Sequence, residues 1–318
     1  MVPPDYVFDK NMDHTISGYI NDSYPQVRSV LITLRGEVTF EQYYQGLSRD
    51  SYHHSASITK TFTSALVGVA INHGFIDSLD RLVTSFFPEY ATDQWNCASR
   101  QMTLKHLLTM TTGLGWVEND SGAWDKHQDL TELFFELPSA CIPGQTFNYN
   151  TLSTHLLSTV LSRISGMSLL DFAERYLFRP MDIAAGEWSK DLKGNAYGGH
   201  SAHFRTLDLA KLGNLYLNKG IWKGKRVLAA NFVAESTRRQ NGGGFPENCG
   251  YGYLWWTTST NGHSAYFAAG YGGQYVYVVD DLSLVIVVTS NRDRPHPENR
   301  GLIEKFVIPT FTNDGSAI

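Results

Sequence analysis

Cysteine is scarce in this chain. There are three in 318 residues, Cys97, Cys141 and Cys249, odd in number and never paired as CxxC. That count excludes a disulfide-stapled scaffold and a cysteine zinc cluster, and it reads as reduced structural thiols in a cytoplasmic protein. Basic blocks are missing too. With 26 Lys and Arg against 31 Asp and Glu, the formal net charge is -5, so neither nucleic acid nor an anionic membrane is implied as a partner. No apolar run approaches the roughly 18 residues of a membrane span; LSLVIVV (282–288) has the length of a strand. The opening MVPPDYVFDKNMDHT holds no basic stretch followed by an apolar one. No secretory leader is therefore expected, and the compartment is cytoplasmic, or periplasmic or secreted if a leader has been removed. HExxH, a Walker loop, a strand-to-helix GxGxxG and a GxSxG elbow are all absent. Those absences argue against a zincin, a nucleotide cofactor and an α/β-hydrolase, and no metal or other cofactor is called for. The HSAH pair (200–203) alone is a poor metal signal.

What is present is a chain with 42% hydrophobic residues and 18% charge, a balance that can bury a large core. Its length allows one large domain or two lobes. QVRSVLITLRGEVTFEQYYQG (26–46) alternates on both sides of Gly36 and predicts a hairpin. From Ser57 the period becomes helical and stops near Gly74, a C′ glycine. TLKHLLTM (103–110), LTELFFEL (130–137), STHLLSTVLSRISG (153–166) and SLLDFAERYLF (168–178) continue the helical pattern, the last with Ser168 and Asp171 at capping-box spacing. TLDLAKLGNLYLNKG (206–220) is a further helix with Thr206 as its N-cap. NGGGF (241–245) reads as a flexible surface loop. Beyond residue 248 the pattern is strand again: CGYGYLWW, HSAYFAAG, GQYVYVVD and LSLVIVVTS, with Asp280-Asp281 turning between the last two. PENRGLIEKFVIPTF (297–311) reads as a closing helix. Strands at both ends and helices between them predict an α/β (α+β) fold, an antiparallel sheet built from both termini with a helical lobe inserted.

HHSASITKTF (53–62) places Ser57 three residues before Lys60, on one helix face. A serine hydroxyl needs a proton acceptor before it attacks, and a lysine serves only when neutral. Moving a lysine pKa from about 10.4 to roughly 7–8 costs on the order of 4 kcal/mol. A helix N-terminus supplies about 0.3–1 kcal/mol of that, so burial must supply the rest. One such pair is what chance provides in a chain of this composition, and a plain surface helix start explains it equally. Two other stretches add to it. PGQTFNYNTLSTHLLS (143–158) sets Tyr149 just ahead of a helix, where its hydroxyl can relay a proton once a neighbouring lysine lowers its pKa. YFAAGYGGQYVYVV (266–279) is strand, glycine cluster, strand, and a backbone N–H there can complete an oxyanion hole. A packed core tyrosine and an ordinary β-bulge are the plain alternatives. Trp116, Trp124, Trp255, Trp256 and Tyr271 are either an aromatic wall or core. His53 and His54 precede Ser57 without an evident acidic partner.

SITK, YNT and the Gly-rich strand, in that order, resemble the active-site triplet of serine β-lactamases and penicillin-binding proteins. LKHLLTMTTGLGW (104–116), PGQTFNYN, LFRPMDI (177–183), DLAKLGNLYLNKG and YGYLWW (251–256) resemble the framework of β-lactamase-related serine hydrolases over about residues 26 to 310. The nearest branch is that of the class C-like esterases and amidases, including the 6-aminohexanoate-oligomer hydrolases. The resemblance implies one β-lactamase-like catalytic domain over 1–318, with an α/β lobe (about 1–56 and 205–318), an all-helical lobe (about 57–204) and the site between them. It implies Ser57 as the acylated nucleophile, Lys60 as its base and Tyr149 as the proton shuttle. It also implies an oxyanion hole from the N–H groups of Ser57 and Gly270, with Thr151, Ala268, Ala269 and Tyr271 meeting the substrate, a small ester, amide or peptide. Two departures stand out. Thr151 replaces the Asn of Tyr-x-Asn, and Phe267-Ala268-Ala269 replaces Lys/His-Thr-Gly. Without that cation a carboxylate-bearing β-lactam is disfavoured, and Lys60 is left as the group that lowers the pKa of Tyr149. A β-lactam-binding sensor with little turnover and an acyltransferase remain the alternatives to a hydrolase.

Overall fold

The structure is a computed structural model that describes residues 10–90, 96–118, 127–293 and 298–312, with side chains from residue 16 onward. The chain enters through helix α1 (Lys10–Ser23) and the hairpin β1 (Val27–Leu34) and β2 (Glu37–Tyr43). A short strand β3 (Tyr52–His54) leads into α2 (Ile58–Asn72), and α3 (Thr151–Ser165) is the other long helix of the middle section. Two more short strands follow, β4 (Ala185–Trp188) and β5 (Ala202–Arg205), then α4 (Thr206–Leu217). The second half of the sheet is β6 (Asn241–Gly244), β7 (Cys249–Tyr251), β8 (Trp256–Thr260), β9 (His263–Gly270), β10 (Gln274–Val279) and β11 (Leu284–Ser290), closed by α5 (Glu298–Leu302).

The eight-stranded order is β2-β1-β11-β10-β9-β8-β7-β6, every neighbouring pair antiparallel. The N-terminal hairpin therefore docks beside the last strand, as a sheet built from both termini requires. Every residue of β10 and β11 is buried, so both faces at the centre of the sheet are covered. Alternation along β10 divides the duties. Val276 and Val278 turn toward Gly213 of α4, while the Tyr277 hydroxyl reaches Glu304 at 3.0 Å in the helical segment that continues α5. Polar links pin α4 to the sheet: the buried Ser29 hydroxyl bonds Thr206 (2.7 Å) and Thr289 (2.6 Å), and Thr33 donates to Asn214 (3.1 Å). Such satisfied buried pairs add about 1 kcal/mol each, less than the roughly 1.5–3 kcal/mol of a buried Leu or Phe, yet they fix the register.

Three readings change here. Thr206 is the first residue of α4, with Arg205 at the N-cap; the Thr206 hydroxyl bonds Ser29 instead. The segment 241–245 is no loose loop, since 241–244 pair with β7 as the edge strand β6. The small sheet β3-β5-β4 and helix α1 have no counterpart in the sequence reading. The Ser168–Asp171 cap is present, with Asp171 N donating to Ser168 Oγ at 3.1 Å. Among the described residues, no single helix is long and apolar enough to cross a membrane.

Candidate active site

The turn from β3 into α2 delivers Ser57. Ser55 N donates to Ala202 O of β5 at 2.9 Å, which anchors the end of β3. Ala56 then adopts φ +48°, the left-handed region that a non-glycine residue rarely visits. Its N–H donates to His54 Nδ1 (3.0 Å) and its carbonyl accepts from the Thr59 hydroxyl (2.7 Å), so the strained turn is held from both sides. Ser57 follows at the N-cap of α2 in helical geometry, with no capping bond from its side chain. Its hydroxyl turns to Lys60 instead, accepting from Nζ at 3.0 Å.

Lys60 is 2% exposed and donates to three oxygens: Ser57 Oγ, Thr151 Oγ1 (2.8 Å) and Gly199 O (2.9 Å). Burial pulls its pKa from the usual 10.5 down to about 8, against the opposing pull of the Glu118 carboxylate. Gly199 reaches the ammonium because Gly198 lies against α3; a Cβ on Gly198 would stand 2.1 Å from Thr154 O.

Tyr149 closes the group. Its ring stacks on Trp256 at 5.8 Å, Lys60 Nζ sits 4.9 Å from its centroid, and the Ser57 hydroxyl acts to lower its pKa. Burial, then the charges of Glu118 and Glu247, raise its pKa above the ordinary phenol value. The expected lowering by Lys60 does not occur, because burial is the largest influence on the phenol. Tyr149 is therefore a phenol here and no phenolate.

Glu118 is the residue that sequence reasoning missed. Its Oε2 accepts from Thr151 N (2.9 Å) and Trp116 Nε1 (2.7 Å), and its Oε1 accepts from the Thr151 hydroxyl. Lys60, Thr151 and Glu118 thus form a chain from ammonium to carboxylate. Thr151 was expected to face substrate; its proton goes to Glu118 and a lone pair to Lys60, so its place is inside the polar network. No spacing signals Glu118, which lies 33 residues before Thr151 on a non-helical segment.

Gly270 lies where β9 meets the Ser57 turn: a Cβ there would stand 2.6 Å from Ser55 O and 3.1 Å from Ala56 Cβ, so only glycine permits the approach. The following turn uses Gly272 and Gly273 at φ +85° and +81°. Phe267, Ala268 and Ala269 are buried, while Tyr271 is 53% exposed. The Arg300 guanidinium lies over the Phe267 ring at 5.1 Å, and its N–H groups go to Glu304 Oε1 (2.8 Å), Glu247 O (3.0 Å) and Glu247 Oε2 (3.4 Å). A cation thus lies near the altered motif but is held by two carboxylates. Trp255 is core, Trp256 backs Tyr149, Trp116 bonds Glu118, and Trp124 falls outside the described residues. Among the described residues no cluster of three or more His, Cys, Asp or Glu could hold a metal ion.

Residues 23–305 match the family described as Beta-lactamase, and the chain belongs to that family as one of its serine hydrolases. It is similar to a 6-aminohexanoate-dimer hydrolase of Paenarthrobacter ureafaciens, 26% identical over 292 residues that cover 85% of this chain and 73% of that protein. It is also similar to esterase EstB of Burkholderia gladioli, 25% identical over 177 residues, 48% of this chain and 44% of that one. The fold superposes with a TM-score of 0.77 on an octameric penicillin-binding protein homologue from Pyrococcus abyssi, at 16% identity, covering 93% of this chain and 76% of the other.

Proposed function

We propose that the protein hydrolyses esters or amides through an acyl-enzyme on Ser57. The observation that carries this reading is the buried Lys60 Nζ at 3.0 Å from Ser57 Oγ, with its pKa brought down to about 8. Neutral Lys60 takes the hydroxyl proton as Oγ attacks the carbonyl carbon. The negative oxygen that forms faces the N–H groups of Ser57 and Gly270. The C–O or C–N bond then breaks as the proton taken up by Lys60 passes through the Tyr149 hydroxyl to the departing alcohol or amine, leaving Tyr149 a phenol and Lys60 neutral. Water attacks the acyl group by the same relay in reverse and frees Ser57. This route takes no cofactor. The ester and amide classes are supported by the activities in the names of the two relatives. The apolar Phe267-Ala268-Ala269 stretch supports substrates that present no carboxylate there.

Ser57→Ala tests the nucleophile with p-nitrophenyl butyrate. Hydrolysis falls by at least about a thousandfold if the reading holds, and retention of the native rate refutes it.

A further inference from the structure

Residues 188–199 form a strap that ends against Lys60. Lys190 and Ala196 pair across it, and each carbonyl from Ala196 to Gly199 is taken by a side-chain donor. Ala196 O accepts from Ser158 Oγ (2.9 Å), Tyr197 O from Trp188 Nε1 (2.7 Å), Gly198 O from Thr63 Oγ1 (2.7 Å) and Gly199 O from Lys60 Nζ (2.9 Å).

Asp191 closes the turn of the strap. Its Oδ1 accepts from Lys193 N (2.9 Å) and Asn195 N (2.7 Å), and its Oδ2 from Asn195 Nδ2 (3.1 Å) and His155 Nε2 (3.0 Å). Those donors fill the roughly four places that a carboxylate offers. Burial alone would raise the Asp191 pKa, yet the bonds from His155 and Asn195 hold it below the usual carboxylate range. His155 stands one helical turn beyond Thr151 on α3 and is 1% exposed. Its Nδ1 has no hydrogen-bond partner among the described residues, so Asp191 is the polar tie of the ring. Tyr197 of the strap lies 5.5 Å from that ring. The pair thus fastens the strap to the helix that carries Thr151.

What the strap delivers is one acceptor for Lys60. As an ammonium, Lys60 donates to Ser57, Thr151 and Gly199. As a neutral amine it keeps two hydrogens and one lone pair. Thr151 gives its own proton to Glu118 and can only accept from Lys60, and the Gly199 carbonyl has no hydrogen to give. The Ser57 hydroxyl is the one partner of the three with a proton free to donate. Two hydrogens on Thr151 and Gly199 therefore leave the lone pair facing Ser57. Without the Gly199 carbonyl, the second hydrogen competes for Ser57.

We infer that His155 and Asp191 are positioning residues: they hold the strap so that the Gly199 carbonyl keeps Lys60 buried and turns its lone pair onto Ser57. That this lone pair takes a proton in turnover rests on the hydrolase reading; that the pair governs the surroundings of Lys60 is tested without substrate.

The experiment is a carbon-13 NMR titration of the full chain labelled at lysine Cε, with the Lys60 signal assigned by its loss in Lys60→Met. The native inflection is expected near about 8. His155→Leu frees the strap and admits water to Lys60, so the inflection moves up by about half a pH unit or more. His155→Gln, which restores an N–H toward Asp191, brings it back. In parallel, kcat for p-nitrophenyl butyrate at neutral pH falls about tenfold in His155→Leu while KM stays within about twofold. An inflection that stays in place or moves down in His155→Leu overturns the inference, whatever the loss of stability, as does a His155→Gln that behaves like His155→Leu. If His155→Leu does not fold by circular dichroism, Ser158→Ala decides. It removes the donor to Ala196 O, and an unmoved Lys60 inflection there overturns the inference. Because the titration reads Lys60 with no substrate present, a failed strap and a failed nucleophile assignment give different results.

Discussion

On the helical side of the cleft, Lys60 reaches three oxygens and Thr151 passes the chain on to Glu118. On the strand side, Phe267, Ala268 and Ala269 bring no polar side-chain group, and Arg300 behind them is held by Glu247 and Glu304. The two walls answer different demands. In the proposed mechanism proton transfer needs groups at hydrogen-bond distance with a tuned pKa, and the helical wall is polar and buried. In the same proposal substrate recognition sets charge and shape, and the strand wall is apolar. The difference separates the chemistry from the choice of substrate.

The largest break in that comparison is Lys60→Met. Hydrolysis of p-nitrophenyl butyrate is expected to drop by about a thousandfold or more, read as kcat/KM. Stability reports on the same group. Lys60 sheds its proton near pH 8 when folded and near 10.5 when unfolded. Below pH 8 both states hold the proton and the burial penalty stands in full. From about pH 8 to 10.5 the unfolded state binds more proton, so stability rises with pH by about 3 kcal/mol from this group. Urea unfolding of the native chain should show that rise relative to Lys60→Met, and identical pH profiles would contradict the buried lysine.

Glu118→Gln comes next. The carboxylate raises the Lys60 pKa, so its removal should move the acidic limb of kcat/KM to lower pH, while loss of the Thr151 contact lowers the maximum. An unshifted limb would leave Glu118 with a purely structural part. The smallest effect belongs to the strand wall. A p-nitrophenyl ester with a terminal carboxylate should react about tenfold more slowly than its neutral counterpart, since no cation there meets it. Faster turnover of the anionic ester would mean that Arg300 is available after all.

Much of this cleft was readable before any coordinates. Ser57 and Lys60 are one helical turn apart, so a local period exposes them, and apolar runs such as LSLVIVVTS mark central strands directly. The order of SITK, YNT and the glycine strand carried the fold. Contacts made only in three dimensions were not readable. Glu118 sits on a segment without periodicity, and its partners are a threonine and an indole across the cleft. The three residues of β3 are too few for alternation to show, and the glycines of β6 have weak strand preference until β7 pairs with them. The pKa of Tyr149 was misjudged for a related reason: the sequence places a lysine nearby but does not reveal how deeply the ring is buried, and burial decides the direction.

The central claim is that Ser57 is acylated with neutral Lys60 as its base. The most direct measurement is the rate of covalent labelling by a fluorophosphonate as a function of pH, with the modified residue located by peptide mass spectrometry. The account predicts one adduct, on Ser57, forming at a rate that rises with pH to an inflection near about 8, the pKa of Lys60. Labelling at another residue, or a rate on Ser57 that ignores pH through that range, would contradict it.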